Sequence, residues 1–205
     1  MKKTIFFDVD GVLLDWTGPF LKYVNAPISK DQVTNYDMTT TGLWLDREAF
    51  MFDLRAFELT AEWADLPALC QMTSLEALVN DGYELHALTM CGHTPEIKAR
   101  RVFNLSRKFG PVFSGVHFVT HSESKVHWIE NFFDSRSMHG LLPQYASILV
   151  EDKGSILRDC HHSGAVYGVG IRQPYNRADE AKDGQTEWFN SVDQFAMKRI
   201  TENHA

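Results

Sequence analysis

Cysteine is scarce. Cys70, Cys91 and Cys160 are the only three in 205 residues, too few and too scattered for a disulfide framework, and no Cys-x-x-Cys pair suggests structural zinc or dithiol chemistry. A reducing, cytoplasmic setting is the expectation. Positive charge is also short: Lys and Arg total 20 against 27 Asp and Glu, a formal charge of −7, so a broad grip on a nucleic-acid polymer is not expected. No apolar run approaches the ~20 residues of a membrane span, and the run after Met1-Lys2-Lys3 meets Asp8 too early for a secretory signal. Internal repeats and low-complexity tracts are missing. What remains is a length suited to one α/β domain with a modest insertion. A small anionic substrate stays possible, because a local lysine or bound cation overrides net charge, and a homodimer is left open.

The informative stretch is Thr4-Ile5-Phe6-Phe7-Asp8-Val9-Asp10-Gly11-Val12-Leu13-Leu14-Asp15. Residues suited to a buried strand run into two carboxylates one apolar residue apart, and the strand period sets Asp8 and Asp10 on the same side. Such charges repel unless one takes a proton. A hard divalent cation with oxygen ligands, Mg²⁺ above all, removes the conflict, and Gly11 lets the chain turn sharply beside it. Taken alone, Asp-Val-Asp-Gly would be a solvated acidic turn after a strand.

Thr17 to Asn25 reads as a short helix capped by Thr17, and 25–42 as loop rich in Asn, Asp, Thr and Pro. From Leu43 to Trp63, aromatic and charged residues mix as in short amphipathic helices. Asp65-Leu66-Pro67 looks like the start of a helix that Asn80-Asp81-Gly82 stops. Tyr83–Met90 is a strand ending at Thr89. Thr94 and Pro95 open a helix to about Lys108, Val116–Thr120 is a strand, and Ser124 caps a helix holding Lys125. Residues 134–146 look irregular. Ser147–Val150 is a strand delivering Glu151 and Asp152, Ser155–Ser163 a helix and Ala165–Ile171 a strand. After the turn Gln173-Pro174-Tyr175-Asn176 comes a polar stretch, 177–185, and then a closing helix from Ser191, where Ser191 and Gln194 have capping-box spacing. Strands alternating with helices predict a parallel sheet covered on both faces, with ligands at the carboxyl ends of its strands. Asp8, Asp10, Thr89, Glu151 and Asp152 all fall at such ends.

The apolar strand followed by Asp-x-Asp-Gly, three apolar residues and Asp15 resembles the first motif of the haloacid dehalogenase-like (HAD) phosphatases. The resemblance implies an α/β, Rossmann-like three-layer sandwich with a parallel sheet and a small helical cap inserted after the first strand: core 1–15 and 64–205, cap 16–63. It implies Asp8 as the nucleophile that attacks phosphorus and Asp10 as the acid and base. Thr89 resembles the second motif, a hydroxyl donor to phosphate. Lys125 resembles the third, with Lys153 as competitor. Glu151-Asp152 resembles the fourth, although close relatives often show Asp-Asp; Asp152 is accordingly given to the metal and Glu151 to its support. Mg²⁺ would be held by Asp8, the Asp10 backbone carbonyl and Asp152. The small cap, Leu-Val-Glu-Asp and Gln-Pro-Tyr-Asn look like the 5′(3′)-deoxyribonucleotidase group, which implies nucleoside monophosphates as substrates. Trp44, Phe50 and Met90 are the candidates for the pocket wall, and Gln-Pro-Tyr-Asn could equally be a plain turn. His93 reads as a loop residue rather than a ligand. The rival readings are a phosphatase for another small ester, such as a sugar phosphate or phosphorylated amino acid, and a non-catalytic phosphate-binding module. Retention of both Asp8 and Asp10 speaks against the last.

Overall fold

Thr4–Phe7 forms β1, the buried central strand of a six-stranded sheet in the computed structural model, which describes residues 3–92, 94–120, 122–135, 147–182 and 184–204. Ile5 and Phe7 enter one apolar cluster and Phe6 the other, as a period of two demands when both faces of a sheet are covered. Helices α1 (Thr17–Tyr23) and α2 (Arg47–Glu58) follow, with short three-ten turns between and after them. Then come α3 (Met72–Asn80), β2 (Glu84–Thr89), α4 (Pro95–Phe109), β3 (Gly115–Phe118), α5 (Lys125–Asp134), β4 (Ser147–Glu151), α6 (Gly154–Ser163), β5 (Val166–Ile171), α7 (Arg177–Lys182), β6 (Glu187–Phe189) and α8 (Val192–Asn203).

The strand order is β3-β2-β1-β4-β5-β6, and every neighbouring pair is parallel. The chain steps outward from β1 to β3, then returns to β4 on the other side of β1. Such a reversal leaves a crevice at the carboxyl ends of the two central strands. Leu75 and Leu78 of α3, Leu105 and Phe109 of α4 and Phe195 of α8 fill one face; Val126, Ile129 and Phe133 of α5 and Ile156 and Cys160 of α6 fill the other. The α/β three-layer expectation is thereby met. All three cysteines are free and buried. Among the described residues no helix is long and apolar enough to cross a membrane.

Several local expectations are corrected. No helix starts at Asp65-Leu66-Pro67: Trp63–Asp65 is a three-ten turn and the helix begins only at Met72. Tertiary pairing takes the intervening backbone, since Asp15 N–H donates to the Pro67 carbonyl and Leu69 N–H to the Leu13 carbonyl, each at 2.8 Å. The chain thus leaves for the helical segment and returns from it side by side. Thr17 lies inside the first turn of α1, not at its cap, and the Gly18 N–H is met by Asp15 instead. The polar stretch 177–185 contains α7, and β6 beyond it was not foreseen because three residues carry too little pattern. From residue 136 on, the irregular connection expected over 134–146 lies outside the described residues, as does His93.

Candidate active site

Beyond β1, Asp8 N–H still donates to the Val150 carbonyl at 2.8 Å, so the ladder carries the first carboxylate to the crevice before the chain turns. The turn closes tightly: Leu13 and Leu14 N–H both reach the Val9 carbonyl, and Gly11 N–H reaches that of Leu14. Gly11 has φ 84°, and a Cβ there would land on Asp152 Oδ2 and the Tyr175 hydroxyl. Backbone conformation and space both require glycine.

The two aspartates do not share one counter-charge. Asp8 Oδ1 accepts from Val9 N–H at 2.7 Å and lies 2.7 Å from Lys125 Nζ. Lys125 starts α5, whose N-terminus Ser124 caps by accepting from His127 N–H. The same ammonium donates to Glu151 Oε2 at 2.7 Å. Asp10 pairs instead with Arg101 of α4, whose Nη2 reaches both carboxylate oxygens at 2.6 and 2.8 Å. Glu151 Oε1 accepts from the N–H groups of Asp152 and Lys153, each at 3.1 Å, so its oxygens are committed to donors within the protein. Asp152 is different: Tyr175 donates to Oδ2, while Oδ1 is buried with no partner among the described residues.

The electrostatics follow. Burial, reinforced by the charge of Glu151, pushes Asp8 up to about 8 against the pull of Lys125. Burial, then the charges of Glu151 and Asp8, raises Asp152 well above the usual carboxylate range. Asp10 is also raised by burial, with Arg101 opposing. For Glu151 burial is the largest influence and works upward, but the charge and hydrogen bond of Lys125, with the hydrogen bonds it shares with Asp152 and Asp8, together overcome it and the carboxyl is lowered. Lys125 is held protonated: burial works against its charge and the two carboxylates overcome it.

With all four carboxyls ionised, Asp8, Asp10, Glu151 and Asp152 would carry two negative charges more than the fixed cations Lys125 and Arg101 offset, an excess that the raised Asp8 and Asp152 relieve by holding protons and that a bound divalent cation would neutralise. Oxygens of Asp8, Glu151 and Asp152 lie within 4.8 Å of one another. An oxygen-only donor set, an orphaned Asp152 Oδ1 and a two-charge deficit fit a hard divalent cation such as Mg²⁺.

Of the other foreseen residues, Thr89 closes β2 with its hydroxyl buried and unpartnered among the described residues. Lys153 does not approach Asp8 as Lys125 does; its ammonium rests over the Tyr36 ring, 4.8 Å from the centre. Trp44 stacks on Phe20 at 5.6 Å, meets Phe50 edge-on at 5.0 Å and donates its indole N–H to Asp53. That pair belongs to the apolar interior of the helical segment. Met90 packs, partly buried, against the cluster around Phe6 and Leu88.

Four contributors were not foreseen. Tyr36, from the loop-like part of the helical segment, is 47% exposed, yet its hydroxyl is raised by burial and then by the charges of Asp152 and Asp8. It meets Tyr175 edge-on at 5.8 Å. Gln173-Pro174-Tyr175-Asn176 is a brace: Gln173 donates to the Gly11 carbonyl at 2.7 Å, Tyr175 to Asp152, and Asn176 to the carbonyls of Asp152 and Ile171, each at 2.8 Å. Arg101 is the third. Glu58, the last residue of α2, is the fourth; it accepts from Gly92 N–H at 2.8 Å and fastens the helical segment to the loop after β2. Only Gln-Pro-Tyr-Asn carried a sequence signal, and that signal did not say what the turn holds.

Neither a protein-family model nor a curated protein matches the chain. Solved structures do. A protein from Clostridium acetobutylicum assigned as a phosphatase aligns with TM-score 0.66 at 14% identity, covering 98% of this chain and 99% of that one. One from Lactobacillus delbrueckii subsp. bulgaricus assigned as a phosphoglycolate phosphatase aligns at 0.65 and 11% identity, covering 97% and 98%. One from Burkholderia xenovorans assigned as a haloacid dehalogenase-like hydrolase aligns at 0.57 and 12%, covering 98% of each chain. At such identities the likeness is one of fold, the Rossmann-like sandwich of that superfamily.

Proposed function

We propose that this chain is a Mg²⁺-dependent phosphomonoesterase working through an aspartyl-phosphate on Asp8, with (deoxy)nucleoside monophosphates as substrates in the manner of 5′(3′)-deoxyribonucleotidases. The observation that carries the reading is the buried set Asp8, Lys125, Glu151 and Asp152 at the carboxyl ends of β1 and β4, with Asp10 beside it. Residues 16–63 are taken as the cap over this site, 1–15 and 64–205 as the core.

Asp8 Oδ1 is occupied by Val9 N–H and Lys125, which leaves Oδ2 to attack phosphorus. As the ester P–O bond breaks, its electron pair goes to the departing alcohol oxygen, and Asp10 supplies the proton. Water then attacks the acyl phosphate and gives its proton to Asp10, and the electron pair returns to the Asp8 carboxylate. Thr89 Oγ1 would donate to a phosphoryl oxygen and Lys125 would stabilise its charge. Mg²⁺, held by Asp8, Asp152 and the Asp10 carbonyl, supplies further charge neutralisation when bound. Glu151 keeps Lys125 charged and in place.

The nucleotide part of the reading is supported by Tyr36, a half-exposed ring beside the carboxylates on which a base can stack, with the Lys153 cation on it. Phosphate release from p-nitrophenyl phosphate with Mg²⁺ tests the reaction: turnover is expected in the wild type and lost in Asp8→Asn, and equal rates overturn the assignment. A panel of nucleoside 5′- and 3′-monophosphates against sugar phosphates and phosphorylated amino acids tests the substrate class. No preference for nucleotides removes it.

A further inference from the structure

Arg101 is among the most deeply buried side chains of the protein, with 0% exposure. A guanidinium enters a dry interior only when its charge is paired and its N–H groups are met. Here that condition is half fulfilled. Nη2 alone makes the two bonds to Asp10, while Nε and Nη1 have no hydrogen-bond partner among the described residues beyond the neighbouring Cys91 thiol, on which Arg101 also acts.

The other contacts of this side chain fix where the guanidinium sits. Its carbon lies 4.0 Å from the centre of the Trp63 ring, a distance at which cation and ring face attract. Trp63 is in turn anchored by Asn104, one turn further along α4, whose Nδ2 donates to the Trp63 carbonyl at 3.1 Å. One helix therefore holds both the backbone of Trp63 and the cation that rests on its ring. Trp63 stands where the chain returns from the helical segment to the sheet. At the far end of the relay the Asp10 side chain keeps 21% exposure, so the carboxyl is gripped from the protein side and open on the other.

We propose that Arg101 is a positioning residue for Asp10. Through Nη2 it holds both oxygens of the Asp10 carboxyl in one orientation, with Trp63 and Asn104 setting the guanidinium, so that the open side of the carboxyl faces the leaving oxygen of a bound ester. Nothing in the reaction consumes Arg101; its part is geometric. The inference rests on the role given to Asp10 above, and the test separates the two.

The leaving group is the probe. p-Nitrophenolate is a stable anion that departs without a proton, whereas an alkoxide needs one. The measured quantity is kcat/KM, which covers the steps up to departure of the alcohol and leaves out hydrolysis of the acyl phosphate. In Arg101→Met, the ratio of kcat/KM for a nucleoside 5′-monophosphate or glycerol phosphate to that for p-nitrophenyl phosphate should fall at least about tenfold, as expected when a general acid worth about 100-fold or more is misplaced. Arg101→Lys, which keeps the cation, should recover part of that ratio. If the methionine variant does not fold, the lysine variant carries the test, with a smaller fall in the same direction. An equal loss on both classes of ester, or no loss on either, overturns the positioning role while leaving the phosphatase reading intact. A wild-type protein that hydrolyses neither ester overturns both.

Discussion

Lys125 and Glu151 form an ion pair at 2.7 Å with both side chains almost completely out of water. The ammonium also holds Asp8 at 2.7 Å, so one cation from the start of α5 serves carboxylates from the ends of β1 and β4. The two partners are therefore not equivalent. Removing Lys125 strands two buried carboxylates, and breaking such a pair costs about 3–5 kcal/mol. Removing the charge of Glu151 leaves Lys125 paired with Asp8 and relieves the repulsion on Asp8 and Asp152. Lys125→Met is expected to lose about 3 kcal/mol or more at pH 8 and to recover part of it near pH 5, where the stranded carboxyls take up protons. Glu151→Gln should lose about 1 kcal/mol. Denaturant unfolding of the two variants checks the order; a glutamine variant less stable than the methionine one would contradict it.

The metal-free protein should weaken as the pH rises. Asp8, pushed up to about 8, and Asp152, also raised, bind more protons folded than unfolded between the ordinary carboxylate range and their folded values. Their contribution is complete at acid pH and is lost as pH climbs through that window, by at most about 1.4 kcal/mol per pH unit for each group. Glu151 is lowered and acts in the opposite sense, only at lower pH. Melting curves in chelator at pH 5, 6.5 and 8 should show a falling midpoint, and saturating Mg²⁺ should flatten the trend. A midpoint that rises with pH in chelator would refute it.

Tyr175→Phe takes away the hydroxyl that donates to Asp152 Oδ2 but keeps the ring. Groups that orient a metal-binding carboxylate contribute about 10–100-fold in metal affinity. Titration calorimetry with Mg²⁺ should therefore show weaker binding by about tenfold or more, with most of the activity restored at saturating metal. Unchanged affinity would mean the brace does not orient Asp152 for the ion.

Gly92 tests the clasp between α2 and the loop after β2. A Cβ there would meet Glu58 Oε2 at 2.6 Å and Ile97 Cδ1 at 2.7 Å. Gly92→Ala should displace Glu58, cost about 1–3 kcal/mol from overpacking, and speed proteolytic cutting within residues 24–46. A variant as stable and as resistant as the wild type would show that the contact yields freely.

What the sequence determined by itself is what neighbours along the chain decide. The apolar strand ending in Asp8 and Asp10, and the caps at Thr94, Ser124 and Ser191, were legible because a strand needs only its own alternation and each cap finds its N–H three residues on. Asp152 at the end of β4 was legible for the same reason. The tertiary structure alone decided which cation faces which carboxylate. Asp10 and Arg101 are 91 positions apart and Lys125 and Glu151 26 apart, and neither one of three arginines on a helix nor a glutamate at the end of a strand states its partner. Nor did local pattern reveal that Leu66 to Leu69 would pair beside Leu13 to Asp15 instead of starting a helix, or that Tyr175 would brace Asp152. Charges and backbone groups taken out of water must find partners wherever the packed elements present them, and that choice is made only when the layers close.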